Sequence, residues 1–292
     1  MYREALKIHR DLAEKSSDAY LPYLANSCNN LADLFCNTGS FKEAEELCRE
    51  ALKICSDLAE KNSDAYLPYL ARSCNNLADL LCNTGFFKES EELYREALKI
   101  YRSLAEKNPD AYLPDLALSC SNLASLLQDV HSFKEAEKLH REALKIRRDL
   151  AEKNPDVYLP SLAISCNNLA YLLSDTGSSK EAEELYREAL KICSDLAEKN
   201  SDAYLPYLAR SCNNLAYLLS DIDSFKEAEE LYREALKIRR NLAEENPKVY
   251  LPKLQLVCDN LTALLEKTGR REEADSLRRE VAEFYQKQLA QQ

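Results

Sequence analysis

Apolar and polar positions alternate along this chain in two helical rhythms, and both return every 46 residues. In the stretch 18–63, Leu24, Cys28, Leu31 and Phe35 follow one another at spacings of four, three and four. That spacing sets one apolar stripe on a helix and predicts a first helix, A, from about Pro22 to Asn37. Proline suits an opening turn because its missing N–H has no intrahelical partner there. Gly39 predicts the stop, as a residue free to adopt positive φ. A second stripe, Phe41, Ala44, Leu47, Ala51, Cys55 and Leu58, predicts helix B from Phe41 to Lys61. Ser40 with Glu43 reads as a capping box, repeated at Ser132/Glu135, Ser178/Glu181 and Ser224/Glu227. The opposite side of helix B carries Glu45, Glu46, Arg49, Glu50 and Lys53. Glu45 and Arg49 form an i,i+4 pair, and the charge run reads as a solvated face.

The pattern is a repeat in letters as well as in polarity. Ser27–Ala32 (SCNNLA) returns at Ser73, Ser119, Ser165 and Ser211, and in degraded form at Val257; REALKI keeps the same period from Arg3 to Arg233. A fixed period of this length marks stacked supersecondary units. The expected organisation is a single all-α array over 1–292. A half helix B covers 1–17, followed by repeats 18–63, 64–109, 110–155, 156–201, 202–247 and 248–292. Met1 stands where Leu47 stands one period later, so the chain opens midway along a helix B. This predicts an array taken from a longer parent, with an uncapped N-terminal end through which copies could self-associate. The last helix, Arg271 to Gln292, turns polar as a cap should.

Charge narrows the partners. With 39 Lys+Arg against 50 Asp+Glu the net charge is −11, which argues against nucleic acid and anionic membranes, since both require a basic face. No apolar run approaches the roughly 20 residues of a bilayer span. Six of the eleven cysteines (Cys28, Cys74, Cys120, Cys166, Cys212, Cys258) are one repeated position. Equivalent positions on packed helices lie about 8–10 Å apart, beyond disulfide reach. The cysteines therefore read as buried thiols, and the expected compartment is the reducing cytoplasm. His9, His131 and His140 are scattered, and no GxGxxG, P-loop, GxSxG or HExxH motif occurs. The expectation is no enzyme, no cofactor and no metal.

The segment NLADLFCNTGSFKEAEELCREAL resembles a tetratricopeptide repeat (TPR), with Leu31, Ala32, Phe35, Gly39, Phe41, Ala44, Cys48 and Ala51 at the family's packing positions. Cys28 departs from the bulky aromatic usual there, and 46 residues exceed the common unit of about 34. Long units with Asn-Asn-Leu-Ala resemble the TPRs of kinesin light chain and related bacterial arrays. The resemblance implies a right-handed superhelix of six helix-turn-helix repeats after the half helix. It also implies a concave groove lined by helix A, and a protein or peptide ligand.

Comparing the repeats with one another nominates residues. Arg49 and Glu50 are constant in every equivalent copy. The position of Asn26 becomes Arg72, Leu118, Ile164, Arg210 and Leu256, and that of Asp33 becomes Asp79, Ser125, Tyr171, Tyr217 and Ala263. A constant scaffold with a varied helix-A face is the pattern of a reading surface. Asn29, Asn75, Asn167 and Asn213, with Ser121 and Asp259 as substitutes in the other two copies, lie on the same side. The resemblance assigns such an asparagine ladder to the backbone of an extended ligand. Replacing the four amides is then expected to remove binding with little effect on melting. The neighbouring series, Asn30, Asn76, Asn122, Asn168, Asn214 and Asn260, is expected to bond to the adjacent helix. The candidate groove is thus Asn26, Asn29, Asp33, Arg72, Asn75, Asp79, Ser121, Ser125, Asn167, Tyr171, Arg210, Asn213 and Tyr217. A carboxylate clamp of the chaperone-binding kind requires inner-face lysines, and only Lys253 and Lys267 are candidates. The functional expectation is a non-catalytic scaffold holding an extended polypeptide, part of a larger signalling, defence or scaffold protein. The alternative is a purely structural or self-assembling array.

Overall fold

Within each compact unit, short connections make consecutive helices run antiparallel. The computed structural model describes residues 2–290, the side chains of residues 17 and 18 apart. Met1, matched above to Leu47, and Gln291–Gln292, expected at the end of the last helix, lie outside the described residues. Among the described residues there are thirteen α-helices and no strands. The chain divides into two compact units, Met1–Ile146 and Arg147–Gln292.

The first unit holds α1 (Tyr2–Lys15), α2 (Ser17–Asn37), α3 (Phe41–Lys61), α4 (Ser63–Asn83), α5 (Phe87–Lys107), α6 (Pro109–Asp129) and the start of α7 (Phe133–Lys153). Consecutive helices pack on one another from α1 through to α6, and α2, α4 and α6, the A helices, also touch in succession. The second unit holds the end of α7, then α8 (Pro155–Asp175), α9 (Ser179–Lys199), α10 (Ser201–Asp221), α11 (Phe225–Glu245), α12 (Pro247–Lys267) and α13 (Arg271–Ala290). Its A helices, α8, α10 and α12, touch in the same way. Helix B has the bounds the stripe predicts, Phe41–Lys61, although Phe41 itself is exposed and only Ala44 to Leu58 are buried.

Helix A starts five residues earlier than expected, at Ser17 rather than Pro22, and each copy is 21 residues long. In the later copies an asparagine precedes the helix, and in three of them it caps the first turn. The Oδ1 atoms of Asn62, Asn108 and Asn200 accept from the N–H groups of Ala65, Ala111 and Ala203 at 3.2–3.4 Å, and Pro109, Pro155 and Pro247 take the first helical position. The Pro22 series sits inside the second turn, where it removes one backbone bond and the helix continues on either side. The stop is as expected. Gly39 has φ +79°, with the N–H of Ser40 bonded to the Phe35 carbonyl at 2.9 Å and that of Gly39 to Cys36 at 3.1 Å, a Schellman closure. His131 and Asp223 hold the same left-handed conformation at φ 61° and 62°, which an L side chain adopts only at some cost.

The predicted capping boxes at Ser40, Ser178 and Ser224 do not form, since none of the three serines makes a side-chain cap. Two of the box carboxylates, Glu135 and Glu227, pair instead with an arginine forty residues earlier. Arg49 binds Glu89 through two nitrogens at 2.8 and 3.2 Å while its Nε holds Glu45 at 2.8 Å. Arg95 repeats this with Glu135 and Glu91, and Arg187 with Glu227 and Glu183. A parallel set joins Arg10 to Glu50 and Arg102 to Glu142, then Arg148 to Glu188 and Arg240 to Glu280 in the second unit. The constant charges of helix B are therefore ties between repeats. The arginine hydrogen bonds hold Glu89, Glu135 and Glu227 below the usual carboxylate range. That contribution is present above the unfolded carboxylate value and lost as pH falls through the folded one. Each pair is exposed, so Arg95→Ala should lower stability by about 1 kcal/mol or less. The difference between wild type and variant should vanish in molar salt; unfolding curves at low and high salt check this.

The cysteines are all free thiols, nine buried and Cys36 and Cys82 half-buried. Burial is the first cause pushing Cys28, Cys48 and Cys166 up to about 12 and Cys258 to about 11. A thiol whose folded value is raised stabilises the fold fully below its ordinary value near 9, and that contribution is lost as pH rises through the folded one. Denaturant midpoints should accordingly fall between about pH 9 and 11. At pH 8, roughly neutral for a thiol, a thiol reagent should label Cys36 and Cys82 well before any Cys28-type position; mass spectrometry of the native protein reads the order.

Candidate functional site

Side chains on helix A divide by rotation into a buried row and an exposed row. The buried row contains the amides nominated as ligand holders. Asn29, Asn75 and Asn167 are 5, 6 and 3 % exposed, and Ser121 is equally covered. Each amide donates to the serine that opens the next SCNNLA: Asn29 to Ser73 at 3.4 Å, Asn75 to Ser119 at 2.9 Å, and, in the second unit, Asn167 to Ser211 at 3.2 Å. Asn167 also donates to the Ala163 carbonyl at 2.9 Å. The Asn30 series completes the rung in the second unit, where Asn214 donates to Asn167 at 3.4 Å and Asn260 to Asn213 at 2.9 Å. In the first unit Asn122 turns to Asp79 at 3.4 Å, and Asn29 Oδ1 and Asn75 Oδ1 are buried without a partner. Bonding to the adjacent repeat, expected only of the Asn30 series, thus involves both series. The expectation that four amide changes would leave melting intact does not fit this burial.

The exposed row carries the varied positions. In the first unit Arg72 donates to Asn26 and lies over the Tyr69 ring at 5.4 Å. Asp33 and Ser125 face solvent, Leu118 is 47 % exposed, and Asp79 accepts from the Tyr94 hydroxyl. In the second unit Tyr171, Tyr217 and Leu256 are 53, 51 and 56 % exposed. Arg210, half-buried, lies over the Tyr207 ring at 5.9 Å. Beside it the α10 and α12 helices frame a cleft of about 700 Å³ that reaches Asn213, Arg239, Tyr250 and Lys253. Tyr69, Tyr207 and Arg239 were not nominated from sequence. The tyrosines read as part of a repeated DAYLPYL phrase, and Arg239 occupies a core position filled elsewhere by His9, Cys55, Tyr101 and Cys193. An arginine at a position of that kind was the available signal.

The arrangement offers hydrogen bonds, aromatic faces and charges along a helix surface. Among the described residues no cluster of His, Cys, Asp and Glu could hold a metal ion, and no helix is long and apolar enough to cross a membrane.

Comparison with known proteins agrees with the repeat architecture. No protein of curated function matches the sequence. Among solved structures, BtubC (BKLC) from P. vanneervenii is 24% identical with a TM-score of 0.67, over 84% of this chain and 90% of that one. A putative kinesin light chain of nearly identical TPR-like repeats from Podospora anserina is 22% identical with a TM-score of 0.60, over 76% of this chain and 98% of that one. The apo form of RapI is 16% identical with a TM-score of 0.65, over 99% and 92%. At these identities the likeness shows the fold. Models described as tetratricopeptide repeat match residues 24–62 and, in overlapping windows, 69–149, 115–195 and 161–241. With paired helices of 21 residues beneath those matches, the chain belongs to the tetratricopeptide repeat family.

Proposed function

We propose that the exposed helix-A row holds an extended polypeptide, and that the chain is a non-catalytic binding scaffold. The observation that carries this reading is the contrast between two sets of positions. Of the residues that tie one repeat to the next, the Arg49 type is kept in every copy and the Asn29 type in all but Ser121 and Asp259. The residues left exposed on helix A change, and several are large and apolar: Leu118, Tyr171, Tyr217 and Leu256. Stability alone gives no reason to place a half-exposed tyrosine where another repeat has aspartate, whereas recognition does, since aromatic anchors dominate interface energies. Asn29, Asn75 and Asn167 then act from behind, fixing the spacing of the exposed row, while Asn26, Asp33, Arg72, Ser125, Tyr171, Arg210, Tyr217 and the half-buried Asn213 meet the ligand. The net charge of −11 speaks against nucleic acid and anionic membranes as partners, and eleven free thiols fit a reducing, cytoplasmic setting. The test is capture from a native lysate by the wild-type chain and by a variant carrying Leu118→Ala, Tyr171→Ala and Tyr217→Ala. The reading expects protein species that the variant loses. Identical capture by both would place the interface elsewhere.

A further inference from the structure

Two arginines of the second unit have lost the internal acceptors that their counterparts keep. Arg147 donates to Ser165 Oγ, the serine eighteen residues on. His9 and Cys193 meet the equivalent serines Ser27 and Ser211 at 2.7 and 3.5 Å. For Arg239 that serine is Val257. Its guanidinium turns instead to the Pro206 carbonyl through Nη2 at 3.0 Å, and Nη1 is buried with no partner in a side chain only 6 % exposed. Arg210 tells the same story. Its counterpart Arg72 donates to Asn26, but the residue one repeat before Arg210 is Ile164, and Arg210 Nε is buried without a partner. Leaving a guanidinium donor unpaired away from water costs free energy that an internal oxygen would otherwise offset.

Both arginines line the cleft between α10 and α12, together with Lys253. Lys253 Nζ lies 5.3 Å from the centroid of the Tyr250 ring and Arg239 Cζ 5.9 Å from the same ring, while Arg210 lies over Tyr207. Asp202 is the one carboxylate in the lining, against three cations. Burial pushes the Arg239 value down, the Tyr250 hydroxyl opposes it in part, and the neighbouring charge of Arg210 adds to the fall. Val257 and the half-exposed Leu256 supply the apolar wall.

We propose that this cleft binds an oxyanion, a carboxylate or phosphate borne next to an aromatic or apolar group, through Arg239, Arg210 and Lys253. A planar guanidinium suits either anion, and the two tyrosines suit a ring beside it. The cleft continues the exposed helix-A row, so it would receive an acidic or phosphorylated side chain of a bound polypeptide. The pocket itself does not depend on that reading, because small anions probe it directly.

The experiment is a calorimetric or NMR titration of the full chain with phenyl phosphate, phenylacetate and the neutral control benzyl alcohol. Both anions, or phenyl phosphate alone, should saturate below about 10 mM, and benzyl alcohol should not. Saturation by both assigns a carboxylate ligand, and saturation by phenyl phosphate alone assigns a phosphorylated one. Lys253→Met, at an exposed position, should weaken binding about tenfold without changing the melting temperature. Val257→Ser returns the missing acceptor to Arg239 and should weaken binding at least about threefold while leaving the fold intact. Binding unmoved by both substitutions, or no saturable binding of either anion, overturns the proposal. A pocket that fails here leaves the polypeptide reading standing, and a lysate capture that fails leaves the pocket standing.

Discussion

Asn167→Ala is expected to destabilise the second unit by about 2–3 kcal/mol, and Asn75→Ala to cost the first unit about 1 kcal/mol or less. The two residues are one repeated position, so the difference comes from their partners. Asn167 donates to Ser211 and to the Ala163 carbonyl and accepts from Asn214. Its removal leaves buried groups unmatched, at roughly 1 kcal/mol for each net hydrogen bond. Asn75 makes one bond, to Ser119 at 2.9 Å, and its Oδ1 is already buried without a partner, so truncation also relieves a penalty. Alanine returns about 0.5 kcal/mol of helix propensity in both cases, which lowers both costs without changing their order. Denaturant midpoints of the two variants decide the matter. Equal and negligible shifts would mean that the amides are not ties between repeats, and would restore them as free groups for a ligand.

The second large effect concerns binding. Truncating Leu118, Tyr171 and Tyr217 together should weaken polypeptide capture by more than a hundredfold. An aromatic anchor typically contributes about 2 kcal/mol or more, roughly thirtyfold per tyrosine. The same side chains are 47–53 % exposed, so their loss should move stability by no more than about 0.5 kcal/mol each. Arg49→Ala and Arg95→Ala are the matched controls on helix B, expected to move stability slightly and affinity not at all. A fluorescence titration of the captured polypeptide against all of these variants separates the two behaviours. Comparable losses from the helix-B changes would contradict the assignment of the face.

What the sequence made legible was whatever is local and periodic. The stripe from Ala44 to Leu58, the turn at Gly39 and the burial of Cys28 all follow from spacing within one helix, and the structure has them. The start of helix A was misplaced because Pro22 and Pro109 are both plausible first-turn prolines, and only Pro109 follows a capping asparagine. Glu135 and Glu227 fit a capping box at i,i+3 as well as an ion pair with an arginine forty residues earlier. A local pattern cannot choose between those two, and the charge run that reads as a solvated face proves to be a set of ties only once neighbouring repeats are packed together. The same limit governs the asparagines. Asn29 and Asn30 differ by about 100° around one helix. Which of them meets the next repeat depends on how neighbouring A helices tilt together, and that is a property of packing. The exposed positions of Tyr171, Tyr217 and Leu118 needed no such information, because they are the complement of the buried stripe.

The central claim is that ligand lies on the exposed row of helix A. Site-specific photo-crosslinking tests it most directly, with a photoreactive side chain placed singly at Leu118, Tyr171 or Tyr217 and, for comparison, at Lys53, Lys99 or Lys191 on helix B. The account predicts covalent capture of the bound polypeptide from the first three positions and none from the second three. Capture from Lys53, Lys99 or Lys191, with the helix-A positions silent, would contradict it and make the Arg–Glu face of helix B the interface.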